Sequence, residues 1–188
     1  MRNLIYSINL TIDGCGDHTK IDPDEEILDF YTKLIQNSDL LLYGRITYQL
    51  MVPYWPDIAN NPAGETKADV EFAKVFSATD KIVFSQSLEK VEDKNSRILR
   101  SKPEEEIPKL KQEPGKNILL GGLALASHII KLGLVDEYYF IVHPTIAGEG
   151  RRLFEGISLQ ERSKLKLVDT RIFKPGGVLL HYLKNDQD

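Results

Sequence analysis

Cysteine is all but missing from these 188 residues: Cys15 stands alone, which excludes an internal disulfide and suits a reducing compartment. Clusters of basic charge are missing as well. The formal net charge is −4, and no window gathers Lys and Arg with interleaved aromatics, so the electrostatic footprint of a nucleic-acid binder is lacking. No run reaches the ~20 apolar residues that a membrane-spanning helix needs. The histidines, His18, His128, His143 and His181, are scattered without a spacing that sets two on one helix face, so no metal is expected. No Gly-x-Ser-x-Gly elbow occurs, which argues against an α/β hydrolase. Met1-Arg2-Asn3 leads straight into strand-like sequence and leaves no room for the apolar centre of a signal peptide, so a cytoplasmic protein is expected.

What is present is a balance of 41% hydrophobic and 28% charged residues, the mixture of one globular domain covering residues 1–188. Short apolar runs alternate with longer amphipathic ones, as in strands joined by helical crossovers. Strands are predicted at 4–10, 39–43, 81–84, 97–99, 117–120 and 135–143, and helices at 24–36, 67–77, 104–112 and 123–132. A helix opening at Arg45 is predicted to stop before Pro53, and residues 52–64, with Pro53, Pro56 and Pro62, read as a long surface loop and a substrate rim. Segments 165–173 and 178–183, joined across Pro175-Gly176-Gly177, read as an antiparallel hairpin. The expected class is α/β, three layers around a mainly parallel mixed sheet that ends in this hairpin.

Three strand ends carry chemistry. Leu120 runs into Gly121-Gly122 and then a helix, a junction where a ligand can approach backbone amides and the helix dipole favours a diphosphate. Gly44-Arg45-Ile46-Thr47-Tyr48 is a second strand-to-helix junction, where a guanidinium and a hydroxyl join the helix amides as phosphate donors. Phe84-Ser85-Gln86-Ser87 is a strand end bearing small polar groups suited to a ribose or its phosphate. Each junction alone also fits an ordinary turn or cap. Together they match the rule that parallel α/β sheets bind ligands at the carboxyl ends of their strands.

Gly-Arg-x-Thr-Tyr, Phe-Ser-x-Ser and Leu-Gly-Gly in this order resemble dihydrofolate reductase. The continuation Gly133-Leu134-Val135-Asp136-Glu137, then His143-Pro144 and Gly148-Glu149-Gly150-Arg151-Arg152-Leu153-Phe154, looks more specifically like the reductase domain of bifunctional riboflavin-biosynthesis proteins. The likeness runs from about Leu4 to Leu183. It implies NADPH as cofactor, with Gly44, Arg45 and Thr47 on its phosphates, Ser85, Gln86 and Ser87 near the adenosine ribose phosphate, and Gly121, Gly122, Leu123 and Ala124 along the diphosphate toward the nicotinamide. The backbone at Ile8 and Asn9 would face the carboxamide, with Asp13-Gly14 in a mobile loop above it. It also implies a homodimer, for which the entry Gly133-Leu134-Val135 and residues 136–144 offer a surface.

The chain departs from both patterns. The acid that fixes the pterin in dihydrofolate reductases falls on Leu28, with Asp29 next to it, and the acidic ribose-binding element of the riboflavin reductases is replaced by residues 57–62. Hydride transfer to a small heterocycle of pyrimidine or pteridine type is expected, with Tyr48, Tyr54 and Trp55 as candidates to stack on it and Asp13 as candidate proton donor. The alternative is a non-catalytic NADP(H)-binding or regulatory protein on the same fold.

Overall fold

The computed structural model describes residues 1–21, 24–174 and 176–185. It has an α/β fold with eight strands and five α-helices among the described residues; the strands form a mainly parallel mixed sheet whose antiparallel members lie at the C-terminal end of the chain. The chain forms two compact units, residues 1–2 with 23–119 and residues 3–22 with 120–188.

In the first unit β2 (Ser38–Gly44), β3 (Asp80–Phe84) and β4 (Ser96–Leu99) pair in parallel, and β5 (Asn117–Leu120) follows near its end. Leu40, Leu41, Leu42 and Tyr43 are all buried, as a parallel strand covered on both faces requires. Helix α1 (Glu25–Gln36) starts because the Asp24 carboxylate accepts from the Ile27 amide, and Glu25 and Glu26 oppose the positive end of the dipole. Helix α3 (Lys67–Ala78) starts at a capping box between Thr66 and Asp69. Helix α4 (Pro103–Gln112) opens on Pro103 with three glutamates in its first turn.

Helix α2 corrects the sequence reading. It spans Arg45–Asn60, straight through Pro53 and Pro56, so the predicted stop before Pro53 and the loop beginning at residue 52 are both replaced by helix. An internal proline costs a helix about 3 kcal/mol. Packing offsets that: Val52 and Ile58 are buried, and the Trp55 ring lies edge-on to Phe72 of α3 at 4.4 Å between centroids. Burial of two such aliphatic side chains is worth roughly 1.5–3 kcal/mol each. The true link to α3 is only Asn61 to Thr66.

In the second unit β1 (Leu4–Thr11) pairs in parallel with β6 (Glu137–His143), and β6 pairs antiparallel with β8 (Val178–Lys184), which pairs antiparallel with β7 (Leu165–Ile172). Helix α5 (Ala124–Lys131) completes it. With β1 on one side and β8 on the other, the β6 backbone is paired along both edges. Strand β7 is exposed along almost its whole length and carries Lys166, Asp169 and Arg171, charges that discourage edge-to-edge pairing. The β7–β8 turn closes with Phe173 N–H donating to the Gly177 carbonyl at 2.8 Å, and Gly176 takes a left-handed φ of 95°. Of the expected turn, Pro175 lies outside the described residues, as do Asp22 and Pro23 at the end of the first loop.

Candidate functional site

In the first unit Gly44 is the N-cap of α2 and, having no side chain, leaves the first helical turn without a side-chain cap. Uncapped N–H groups at a helix start are donors for an anion. Arg45 and Thr47 sit in that turn; Arg45 is exposed and its guanidinium donates to Gln49 at 2.9 Å, a contact on the helix surface. At the end of β3 the Ser85 hydroxyl oxygen accepts from the amides of Leu88 at 2.9 Å and Ser87 at 3.3 Å, folding the chain into a tight turn with Gln86 and Ser87 exposed. Arg100 clasps that turn, donating to the carbonyls of Ser85 at 3.0 Å and Leu88 at 2.7 Å, while Gln86 Nε2 donates back to the Arg100 carbonyl at 2.5 Å. Sequence reasoning missed Arg100. Its signal was its place one residue beyond β4, whose parallel pairing with β3 brings the two strand ends together.

The second unit holds the other junction and the end of β1. Gly122 takes φ 87°, a left-handed conformation that favours glycine, and its carbonyl accepts from the buried Tyr6 hydroxyl at 3.0 Å. Helix α5 again starts without a side-chain cap. Its first turn bonds to the segment after β6: Ser127 Oγ accepts from the Phe154 amide at 2.9 Å, holding a phenylalanine at φ 62°. Gly16 packs so close that a Cβ there would stand 2.8 Å from Leu123 Cδ2. Ile8 is buried, and the half-buried Asn9 meets His143 of β6, Oδ1 to Nε2, at 2.9 Å.

Two expectations are corrected here. Asp13 does not fit a proton donor. Its Oδ1 accepts from the Thr11 hydroxyl at 2.6 Å and the Ala147 amide at 3.0 Å, and its Oδ2 accepts from the Gly148 amide at 2.9 Å and Arg152 at 3.2 Å. The Thr11 hydroxyl first, then the Ala147 amide, hold this carboxyl far below the usual carboxylate range, so it stays ionised with its lone pairs spent. Asp13 is a clasp between the first loop and residues 147–152, and that loop is pinned further by Lys20 to Glu149 at 2.8 Å and the Gly16 amide to the Arg151 carbonyl at 2.9 Å. Tyr48 is no stacking platform either. It is 2% exposed, with its hydroxyl donating to Asp93 at 3.2 Å and accepting from the Glu92 amide at 2.9 Å. Trp55 is half-buried, with edge contacts to both Phe72 and Tyr54, and Tyr54 is 56% exposed.

The clasp is testable. Asp13→Asn puts an amide where two backbone N–H groups and a guanidinium need an acceptor, and amide exchange at Ala147 and Gly148 is expected to rise on the order of tenfold. Because folding lowers this pKa, the contribution is complete above the unfolded value of about 4 and is lost as pH falls through the folded one. Wild-type protection should therefore drop in acid while the variant shows no such step. Equal exchange in both at pH 7 would remove the clasp.

Comparison with known proteins decides the ancestry of this arrangement. The profile of the RibD C-terminal domain matches residues 2–179. The chain belongs to the RibD C-terminal domain family. Within reach of this family it is 35% identical over 193 aligned positions to the uncharacterized protein YyaP of Bacillus subtilis (strain 168), covering 96% of this chain and 94% of YyaP. A second Bacillus subtilis (strain 168) protein, the uncharacterized YwjB, is 29% identical over 82% of this chain and 78% of its own length. Among solved structures, a putative riboflavin biosynthesis protein from Shewanella sp. PV-4 superposes with a TM-score of 0.73 at 16% identity, covering 98% of this chain and 99% of that one. The deaminase/5-amino-6-(5-phosphoribosylamino)uracil reductase of Thermotoga maritima gives 0.67 at 17% identity, with 98% of this chain matching 57% of that longer protein. At such identities the superpositions establish the shared fold. Among the described residues no helix is long and apolar enough to cross a membrane, and no group of three His, Cys, Asp or Glu side chains is placed to hold a metal ion.

Proposed function

We propose that this RibD C-terminal domain protein is an NADPH-dependent reductase acting on a small heterocycle of pyrimidine or pteridine type. The observation that carries the reading is the strand-to-helix junction of the first unit, where Gly44 opens a helix that has no side-chain cap. A dinucleotide diphosphate is the ligand such uncapped amides suit. Arg45 and Thr47 would add charge-assisted donors to its phosphates, and Ser85, Gln86 and Ser87 would meet the ribose phosphate, which favours NADPH over NADH. Gly121, Gly122, Leu123 and Ala124 would follow the diphosphate, and the backbone of Ile8 and Asn9 would meet the carboxamide. The bound cofactor supplies the hydride; the chain's own residues orient the ring and exclude water.

The alternative, a protein that binds NADP(H) without turning over, draws support from two side chains. Leu28 is buried where dihydrofolate reductases carry their acid, and Asp13 is committed to its clasp. A fluorescence titration separates these from a third outcome. Micromolar or tighter NADPH binding with NADH at least about tenfold weaker is expected; absence of both would overturn the cofactor reading. Binding without oxidation of NADPH across a panel of reducible pyrimidines and pteridines would favour the regulatory alternative.

A cytoplasmic setting belongs to the same proposal, since Cys15 is a buried free thiol and the cofactor pool is intracellular. So does the homodimer. The surface proposed for a second copy is the entry Gly133-Leu134-Val135 with residues 136–144, and a monomeric mass by light scattering at micromolar concentration would remove it.

A further inference from the structure

Lys81 is an odd residue for β3. Its side chain is fully buried on a strand whose members Ile82, Val83 and Phe84 are apolar and buried, and a buried ion pair is a poor stabiliser beside an apolar pair of similar size. What the ammonium supplies is direction. It donates to Asp93 Oδ2 at 3.2 Å and to the Thr79 carbonyl at 2.8 Å, while Asp93 Oδ1 accepts from the Tyr48 hydroxyl at 3.2 Å. The Tyr48 oxygen accepts in turn from the Glu92 amide at 2.9 Å. Tyr48 is the fourth residue of α2, just after Arg45 and Thr47, whereas Glu92 and Asp93 lie near the end of the loop that Ser85, Gln86 and Ser87 begin. From there the grip passes into β4. The Ser96 amide donates to the Asp93 carbonyl at 3.4 Å, the Lys81 amide to the Asn95 carbonyl at 2.7 Å, and Asn95 Nδ2 to the Ser77 carbonyl at 2.8 Å. Strand β4 is four residues long and pairs, among the described residues, with β3 alone, so the seating of its entry sets where its exit lies. That exit leads to Arg100, the residue that clasps the Ser85 turn.

We propose that Tyr48, Asp93 and Lys81 are positioning residues that lock residues 85–95 to the first turn of α2, so that the Gly44 and Ser85 strand ends are set against each other as one unit. The lock rests on the cofactor reading for its purpose, because those two ends carry the donors assigned to the NADPH phosphates; its geometry stands without that reading. None of the three side chains is assigned a contact with the nucleotide. Within residues 85–95 only Leu88 is buried, so apolar contact does little to order the segment, and directional bonds to groups fixed on α2 and β3 do the rest. A turn that is ordered before its ligand arrives loses less entropy on binding.

The test is residue-resolved amide exchange on the full chain, with NADPH and NADH titrations of the same samples. Tyr48→Phe removes one oxygen and keeps the ring. Exchange is expected to rise roughly tenfold at Glu92 and several-fold at Ser87 and Leu88, whose amides the Ser85 hydroxyl holds, while Leu41 and Leu42 of β2 stay unchanged. Lys81→Met should loosen the same amides. Adding Asp93→Asn should restore them, because an uncharged amide at that position still accepts from Tyr48 and needs no ammonium beside it. A pair that only filled space would show no such rescue. NADPH affinity should fall roughly tenfold in Tyr48→Phe and NADH affinity less, since the loosened turn is the one given to the ribose phosphate. A rise confined to Glu92, a rise shared by Leu41 and Leu42, or a double variant no tighter than Lys81→Met would overturn the lock. If Tyr48→Phe fails to fold, the Lys81→Met and double variants decide. Exchange as expected in a protein that binds neither nucleotide would overturn the cofactor reading and leave the lock standing, whereas NADPH bound with exchange unmoved by the variants would do the reverse.

Discussion

Arg45→Ala is expected to weaken NADPH binding by roughly one to two orders of magnitude, the size of one lost charge-assisted contact to phosphate. The argument is geometric and electrostatic. Arg45 opens α2 directly after a strand end, beside amides that no side chain caps, and its single hydrogen bond among the described residues is to Gln49 on the helix surface. An exposed residue with so few contacts contributes little to folding, and the variant should stay within about 0.5 kcal/mol of wild type in a urea titration. The two measurements together make the test sharp, because a large change in affinity with unchanged stability can only be read at the ligand. If NADPH and NADH weaken equally, Arg45 serves the diphosphate common to both; if NADPH alone weakens, it serves the 2′-phosphate. An affinity that does not change would remove Arg45 from the cofactor site.

Why some of this was legible in sequence and some was not follows from the range of the interactions. Junctions at Gly44 and Gly122 are local: a buried β-branched or leucine-rich strand, a glycine, then a helix, all within a dozen residues, and the structure places both where the pattern put them. Asp13 was misread because its meaning depends on Ala147, Gly148 and Arg152, more than 130 residues away. Before a glycine it looks like any turn aspartate; only the fold shows four donors converging on it. The prolines of α2 failed for the opposite reason. Pro53 and Pro56 are strong local signals, but Val52, Trp55 and Ile58 bind the helix to its neighbours, and packing outweighs the missing N–H groups. Asn9 was noticed for its backbone alone, since nothing in the sequence announces that His143 will lie against its side chain.

Asp93→Ala should be the most destabilising of these substitutions, by about 3–5 kcal/mol, because it strips one partner from a buried ion pair. Lys81 lies on β3 with its side chain fully buried, its ammonium 3.2 Å from Asp93, donating to the Thr79 carbonyl at 2.8 Å and resting 4.7 Å from the centre of the Phe76 ring. Without Asp93 the charge remains in the interior with one carbonyl and an aromatic face, and the buried Tyr48 hydroxyl loses an acceptor at the same time. Removing the charge instead, as in Lys81→Met, should cost less, since a thioether chain of similar length fills the space and needs no counter-ion. The pH dependence gives the sign. Burial pushes the Lys81 pKa below its ordinary value even with Asp93 present, so between the folded and unfolded pKa values the unfolded state binds more protons and stability rises with pH. Loss of Asp93 lowers the folded value further. The deficit of Asp93→Ala relative to wild type should therefore narrow as pH rises toward 10, whereas a deficit that stays constant in urea titrations across that range would mean that packing, and not the stranded charge, carries the loss.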